Sequence, residues 1–333
     1  MTEVRIETRR EAMTGSPARA VAGMRRATEL LAPFLFLLVV GAFLSVVSEN
    51  FLTVRNILTI LLQISVVGII AVGQTMVMIT AGIDLSVGGV VGLSGVVAAL
   101  FVASLGWPIG LAMPAGAIVG LFVGFVNGAL ITGFRMPPFI ATLATMSVTR
   151  GLALVLTGGV AVYDLPSSFA WFGNGDVFGI PVPIYVLAVV AAVMAVVLHK
   201  TRLGRYTYAI GSNVETARMA GVNVSRQLVK IYTLCGGLSG LAGVILASRI
   251  VTGQPTAGEG YELDAIAASV IGGTSLFGGV GTIIGSVIGA ALMGLIRNGC
   301  NLLNVSAFWQ LIVIGVIILI AVGWDQYRRR HAH

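Results

Sequence analysis

The chain has 333 residues, 57% of them hydrophobic and only 10% charged, where a soluble domain carries roughly a quarter charged residues. That excludes a water-soluble enzyme or binding module and indicates an all-α polytopic membrane protein. The formal charge of +7 would suit a nucleic-acid binder, but the basic residues gather in short segments between long apolar runs, which orients a membrane protein and argues against nucleic acid.

Residues 1–29 are polar and of mixed charge, with Arg5, Arg9, Arg10, Arg19, Arg25 and Arg26 among them. They read as a cytoplasmic extension rather than a removable signal peptide, with an interfacial helix near "MRRATELL". A transmembrane domain follows over 30–324. A spanning helix needs about 20 apolar residues, and the apolar runs place spans at 30–47, 57–80, 85–104, 109–132 and 139–156. The loop "GFRMPP", with Arg135, separates the fourth from the fifth. The segment 158–183 has no lysine or arginine but contains Asp164, Asp176 and Trp171, a composition of the outer face.

A sixth span at 184–198 leads into the basic stretch 199–230, and a seventh covers 231–250. After the acidic "GQPTAGEGYELD" come spans at 265–276, 282–296 and 308–322, then a basic tail over 325–333. Ten spans put both termini, Arg135 and the 199–230 loop on one side, with sixteen of the twenty basic residues. Such a bias marks the cytoplasmic side, so the chain reads as a multi-pass protein of the bacterial cytoplasmic (inner) membrane. Cys235 and Cys300 lie in apolar context without metal-ligand spacing, and His199, His331 and His333 fall at membrane edges or in the tail. No metal site or histidine catalyst is indicated.

"AGAIVGLFVGFVNGALI" from Ala115 resembles "VGTIIGSVIGAALMGLI" from Val280, matching Gly116, Gly120 and Gly124 with Gly281, Gly285 and Gly289. Likewise "GIDLS" at Gly82 resembles "GYELD" at Gly260, setting Asp84 opposite Glu262. The matched spans are five apart and so opposite in direction, the pattern of an inverted internal repeat. Glycine every four residues also allows close helix approach, which accounts for the likeness without a repeat.

The chain has only two lysines, Lys200 and Lys230, and neither follows a P-loop glycine pattern. The apolar runs offer essentially Asp84, with Arg150, Arg249 and Arg297 near predicted ends, which is thin material for a proton relay. An external ATPase, an ion gradient or a passive pore remain as drives. The charged 199–230 loop suits a docking surface for an external motor.

Four long motifs then identify a resemblance: "GQTMVMITAGIDLSVGG", "GFRMPPFIATLATMSVTRGLALVLTGG", "GRYTYAIGSNVETARMAGVNV" and "IGGTSLFGGVGTIIGSVIGA". From Phe34 to Trp324 the chain resembles the membrane permease subunits of ribose-type bacterial ABC sugar importers, of the branched-chain-amino-acid/ribose permease superfamily. The resemblance implies a transport subunit and not an enzyme, with no cofactor of its own and ATP/Mg in a partner ATPase. It implies a second permease subunit (homodimer or related chain), a cytoplasmic ATP-binding subunit that commonly fuses two nucleotide-binding domains, and an extracytoplasmic sugar-binding protein. Cargo would be a neutral monosaccharide, a pentose, hexose or related polyol, moved by alternating access. The alternatives are a nucleoside or furanose-like signalling molecule, or an ion-coupled carrier for a small neutral solute.

By motif position the coupling helix lies within 212–221. Asn213 or Ser212 can cap it, Glu215 favours its N-terminus and Gly221 can end it. Ala217 and Met219 are expected among apolar contacts, with Glu215, Thr216 and Arg218 available for polar ones. Asp84 is either a helix cap at a glycine-permitted break or part of a substrate pathway with Gln74, Ser86 and Asn127.

Overall fold

The computed structural model describes residues 33–330. The N-terminal extension, with the helix expected near "MRRATELL", and the last tail residues lie outside the described residues. The apolar runs become helices: α1 (Pro33–Val47), α2 (Val54–Ile79), α3 (Val87–Ala103), α4 (Ile109–Gly133) and α5 (Pro138–Thr157). Then come a short α6 (Trp171–Asn174) and α7 (Val182–Lys200), then α8 (Arg202–Ser212), α9 (Val214–Met219) and α10 (Val224–Ile250), and finally α11 (Tyr261–Ile271), α12 (Ile283–Leu302) and α13 (Ala307–Arg330). Six of them, α2, α4, α5, α7, α10 and α12, are long and apolar enough to cross a membrane.

Three expectations need correction. The 199–230 stretch is not a loop. Thr201 caps α8, accepting from Gly204 N–H at 3.4 Å, and Asn223 caps α10, accepting from Arg226 N–H at 3.0 Å. Arg226 and Lys230 lower the hydropathy there without interrupting the helix. Second, the basic tail begins as a continuation of α13, which runs to Arg330.

Third, the eighth span predicted at 265–276 is displaced. α11 starts at Tyr261 and its 11 residues cover about 16 Å at 1.5 Å per residue, about half of a bilayer core of ~30 Å. An irregular segment, 272–282, follows, with left-handed backbone at Gly273, Gly278 and Gly279. Its Thr274 and Ser275 are buried. Non-helical backbone at membrane depth survives only where protein or a water-filled cavity surrounds it, and the first half has the same feature at 80–86.

α10 lies at the centre. It packs on α4, α3 and α2, while α2 also meets α11 and α12. The α4–α10 contact depends on glycine. A Cβ at Gly120 would strike the Gly236 carbonyl and lie 2.7 Å from Gly240 Cα, and one at Gly236 would lie 2.7 Å from Gly124 Cα. The matched glycines of the second half behave differently: Gly285 and Gly289 face Gly272 and Ala268, so α12 is pressed on α11 and not on α10. The segment 158–181 carries a two-stranded antiparallel ribbon, Asp176–Val177 with Ile180–Pro181. It is tied to the end of α10 by Ser248 Oγ donating to the Phe169 carbonyl at 2.6 Å.

Candidate functional site

The break between α2 and α3 builds a buried polar knot. At Gly82 an added Cβ would collide with the Tyr232 hydroxyl of α10, which would have to shift, and Ala81 takes a left-handed φ of 61°. Asp84 follows, with no exposed surface. Its Oδ1 accepts from Ser86 N–H at 2.9 Å and from Ser86 Oγ–H at 2.6 Å. This is an Asx-turn, two residues short of the helix. Ser86 occupies the N-cap position of α3, and its hydroxyl donates to Asp84 rather than accepting from the helix. Neither residue therefore caps α3 with its side chain in the manner expected from the sequence.

The knot extends to other helices. Asn127 Nδ2 of α4 donates to Ser86 Oγ at 2.8 Å, and Thr145 Oγ1 of α5 donates to Asn127 Oδ1 at 2.6 Å. In the amide orientation that satisfies both groups, Gln74 of α2 donates to the Asp84 carbonyl at 3.1 Å and accepts from its N–H at 3.2 Å. The four sequence-predicted residues, Gln74, Asp84, Ser86 and Asn127, thus do meet, around the break and not along an open channel. All four are buried. Thr145, the fifth member, carried no sequence signal beyond being a hydroxyl in an apolar run.

A second set of ionised groups was not legible as a set. Arg150 Nη2 of α5 contacts Glu262 Oε1 of α11 at 2.8 Å, and Arg297 Nη2 of α12 contacts Asp264 Oδ2 at 2.6 Å. In the sequence both acids fall in the acidic stretch "GQPTAGEGYELD" that precedes the eighth predicted span. The helix begins four residues earlier than hydropathy suggested, because two carboxylates in its first turn mask the apolar pattern. The acids suit that helix end, where the backbone dipole is positive, and each has a guanidinium partner, as a buried charge requires.

The α8–α9 corner presents the other candidate surface. Asn213 Oδ1 accepts from Thr216 N–H at 2.8 Å, so Asn213 and not Ser212 caps α9. Gly221, at φ 80°, ends it in a Schellman turn in which Val222 N–H donates to the Ala217 carbonyl at 3.0 Å. Glu215 and Arg218 form an exposed ion pair at 2.7 Å, Thr216 is exposed, and Met219 is 82% exposed. Ala217 differs from expectation: it is buried against Ile210 and Val224, on the inner side of the helix. One six-residue helix cannot turn 217 and 219 the same way, since two residues advance it by about 200° at 3.6 residues per turn. Behind α9, Tyr208 Oη of α8 donates to the Gly281 carbonyl at 2.7 Å, and Gly279 N–H donates to the Ile79 carbonyl at 2.9 Å. The corner is thereby joined to the end of α2 just before the Asp84 turn.

A profile of the family described as branched-chain amino acid transport system / permease component matches residues 56–322. The ribose import permease protein of Bacillus subtilis is 49% identical over 298 residues, covering 89% of this chain and 92% of the relative. The L-arabinose ABC transporter permease protein of Azospirillum brasilense is 40% identical over 314 residues, covering 94% and 92%. The D-allose transport system permease protein of Escherichia coli is 39% identical over 293 residues, covering 88% and 90%. No solved structure matches the chain.

Proposed function

The chain belongs to the branched-chain amino acid transport system / permease component family, and we propose that within it the chain is the permease subunit of an ATP-driven importer for a neutral monosaccharide. The carrying observation is that relatives named for ribose, allose and arabinose match about nine-tenths of the sequence. Two features of the fold favour that reading. A capped, exposed α9 stands ready to meet a motor, and the Tyr208 hydroxyl of the adjoining α8, with the Gly279–Ile79 backbone bond, joins that corner to the break in the bundle.

The working protein is a multi-pass inner-membrane subunit with ten crossings and both termini in the cytoplasm, α3 and α11 crossing with the help of their irregular extensions. Its partners are a second permease copy or related chain, a cytoplasmic ATPase carrying ATP and Mg, possessing two fused nucleotide-binding domains, and an extracytoplasmic sugar-binding protein. The two halves form an inverted repeat. Exchanging α2 with α10, α3 with α11, α4 with α12 and α5 with α13 turns α10–α4 packing into α2–α12 and α10–α3 into α2–α11. The same exchange turns α3–α5 packing into α11–α13. That correspondence supports the repeat better than the glycine match, whose packing partners differ between halves.

ATP binding in the motor moves α9, Asn213 to Met219, and the movement passes through α8 to the ends of α2 and the 272–282 segment, re-orienting the halves. Asp84, Ser86, Gln74 and Asn127 hold the break rather than lying open to cargo. The test is uptake of labelled ribose, allose and arabinose by vesicles containing the permease, ATPase and binding protein. Uptake of at least one sugar that requires ATP and is indifferent to a collapsed proton gradient is the expected result. Uptake driven by the proton gradient without ATP would overturn the proposal.

A further inference from the structure

The lipid-facing stripe of α7 ends on a cation. Val189, Val193 and Val196 are exposed along the helix, and Lys200 is its last residue. Steps of four, three and four residues keep these side chains on one face. An exposed valine stripe on a spanning helix meets acyl chains, so Lys200 emerges where the chains end and headgroups begin. α8 starts beside it. A Cβ on Gly204 would collide with the Leu198 carbonyl and lie 2.6 Å from Leu198 Cα, so the first turn of α8 is pressed on the last turn of α7. Gly204, Thr207 and Ile210 are buried, whereas Arg202, Arg205 and Tyr206 are exposed.

The charge at this corner is unbalanced. No aspartate or glutamate occurs between Asp176 and Glu215, and Glu215 is taken by Arg218 at 2.7 Å. None of Lys200, Arg202 and Arg205 forms an ion pair among the described residues. Lys200 at least suits the negative C-terminal end of α7. Arg202 and Arg205 do not suit theirs, because a helix start is its positive end and favours acids, and α8 has none in its first turn.

An anion from outside the chain answers both arginines, and Lys200 limits its source. A phosphate in the headgroup layer lies at the foot of the valine stripe, within reach of the lysine and the first turn of α8 together. The surface offered to the motor is instead α9, whose own exposed charges are already paired. Tyr206 adds a hydroxyl donor on a ring suited to the headgroup level. A zwitterionic headgroup would bring an ammonium group back to three cations, whereas a lipid of net negative charge does not.

We propose that the α7–α8 corner, through Lys200, Arg202 and Arg205, binds the phosphate of an anionic phospholipid. Basic residues just outside a span attract such lipids electrostatically. A lipid held there fixes the height of α8 on the membrane, and with it the Tyr208–Gly281 contact behind α9. The site does not depend on what the chain transports.

The test places the full-length permease in phosphatidylcholine vesicles and compares spin-labelled phosphatidylglycerol with spin-labelled phosphatidylcholine by the fraction immobilised at the protein. Phosphatidylglycerol should be preferred about threefold or more. Lys200→Gln with Arg202→Gln and Arg205→Gln should lose at least half of that preference, and Arg55→Gln, which removes an exposed cation from the first turn of α2, should keep it. If the triple variant does not assemble, Arg202→Gln with Arg205→Gln leaves α7 unaltered and should show the same loss. Equal association of the two lipids with the unaltered protein would overturn the site, as would an equal loss in Arg55→Gln. A triple variant that keeps the preference but no longer co-purifies the ATPase would assign the three cations to the motor and not to lipid.

Discussion

Glu262, in the first turn of α11, lies against Gly88, in the first turn of α3, so closely that a Cβ on Gly88 would collide with the carboxylate. The two helices that begin after irregular backbone therefore meet at their N-terminal ends, and Arg150 of α5 holds the acid there at 2.8 Å. Gly88→Ala should be markedly destabilising, because the added carbon would also lie 2.6 Å from the Gly258 carbonyl, which cannot swing away. Overpacking of this kind costs about 1–3 kcal/mol. Gly110→Ala, with open space around its Cβ position, is the control. Thermal unfolding of the purified permease in detergent should separate the two.

The Arg150–Glu262 pair predicts an asymmetry between single and double changes. Glu262→Gln leaves a guanidinium without its partner. Breaking a fully buried pair costs about 3–5 kcal/mol, and since Arg150 is 34% exposed the cost here should be well below that, on the order of 1–2 kcal/mol after solvent screening. Arg150→Gln with Glu262→Gln should recover most of the loss. A double-mutant cycle on unfolding temperature measures the coupling, and strict additivity would show that the two side chains act independently.

Asp84→Asn keeps an oxygen where Ser86 N–H donates, so the turn and the Asn127 contact should survive and the permease should assemble and unfold much as the unaltered protein does. Asp84→Ala strands the N–H and hydroxyl donors of Ser86 in a buried site, at about 1–3 kcal/mol for each unsatisfied group. Vesicle uptake alongside unfolding tests whether the residue only holds structure. Normal uptake by Asp84→Asn is expected. Loss of uptake with normal assembly would show that the charge itself takes part in transport.

For α9, Met219→Glu puts a charge on its most exposed apolar residue and should weaken co-purification of the ATPase without altering the unfolding of the permease. Ala217→Trp should act differently. It forces a large ring against Ile210 and Val224, dislodging α9 from its own bundle, so unfolding temperature and coupling fall together.

Asn213→Ala removes the cap on Thr216 N–H and should cost about 0.5–2 kcal/mol locally. The readout is sugar-stimulated ATP hydrolysis, expected to fall while basal hydrolysis and global unfolding are unchanged. Asn213→Asp, which caps equally well, should restore it.

Apolar runs indicated the helical membrane class and the order of the long helices, and the residues around 212–221 indicated a short helix capped at Asn213 or Ser212 and ended by Gly221, because burial in lipid and local hydrogen bonding depend on nearby residues. They did not locate the start of α11. Glu262 and Asp264 look like loop residues to hydropathy, and only partners 112 and 33 residues away, Arg150 and Arg297, make them tolerable inside the bundle. For the same reason Ala217 could not be turned inward from its neighbours alone: its burial is decided by Ile210 and Val224. Gln74, Asp84, Ser86 and Asn127 stood out in sequence as polar residues in apolar surroundings, but whether they line a channel or seal a break depends on how α2, α4 and α5 close around them. Side-chain chemistry is local, whereas desolvation and charge pairing belong to the assembled bundle, and that assembly decided which polar groups are structural and which stand at a surface.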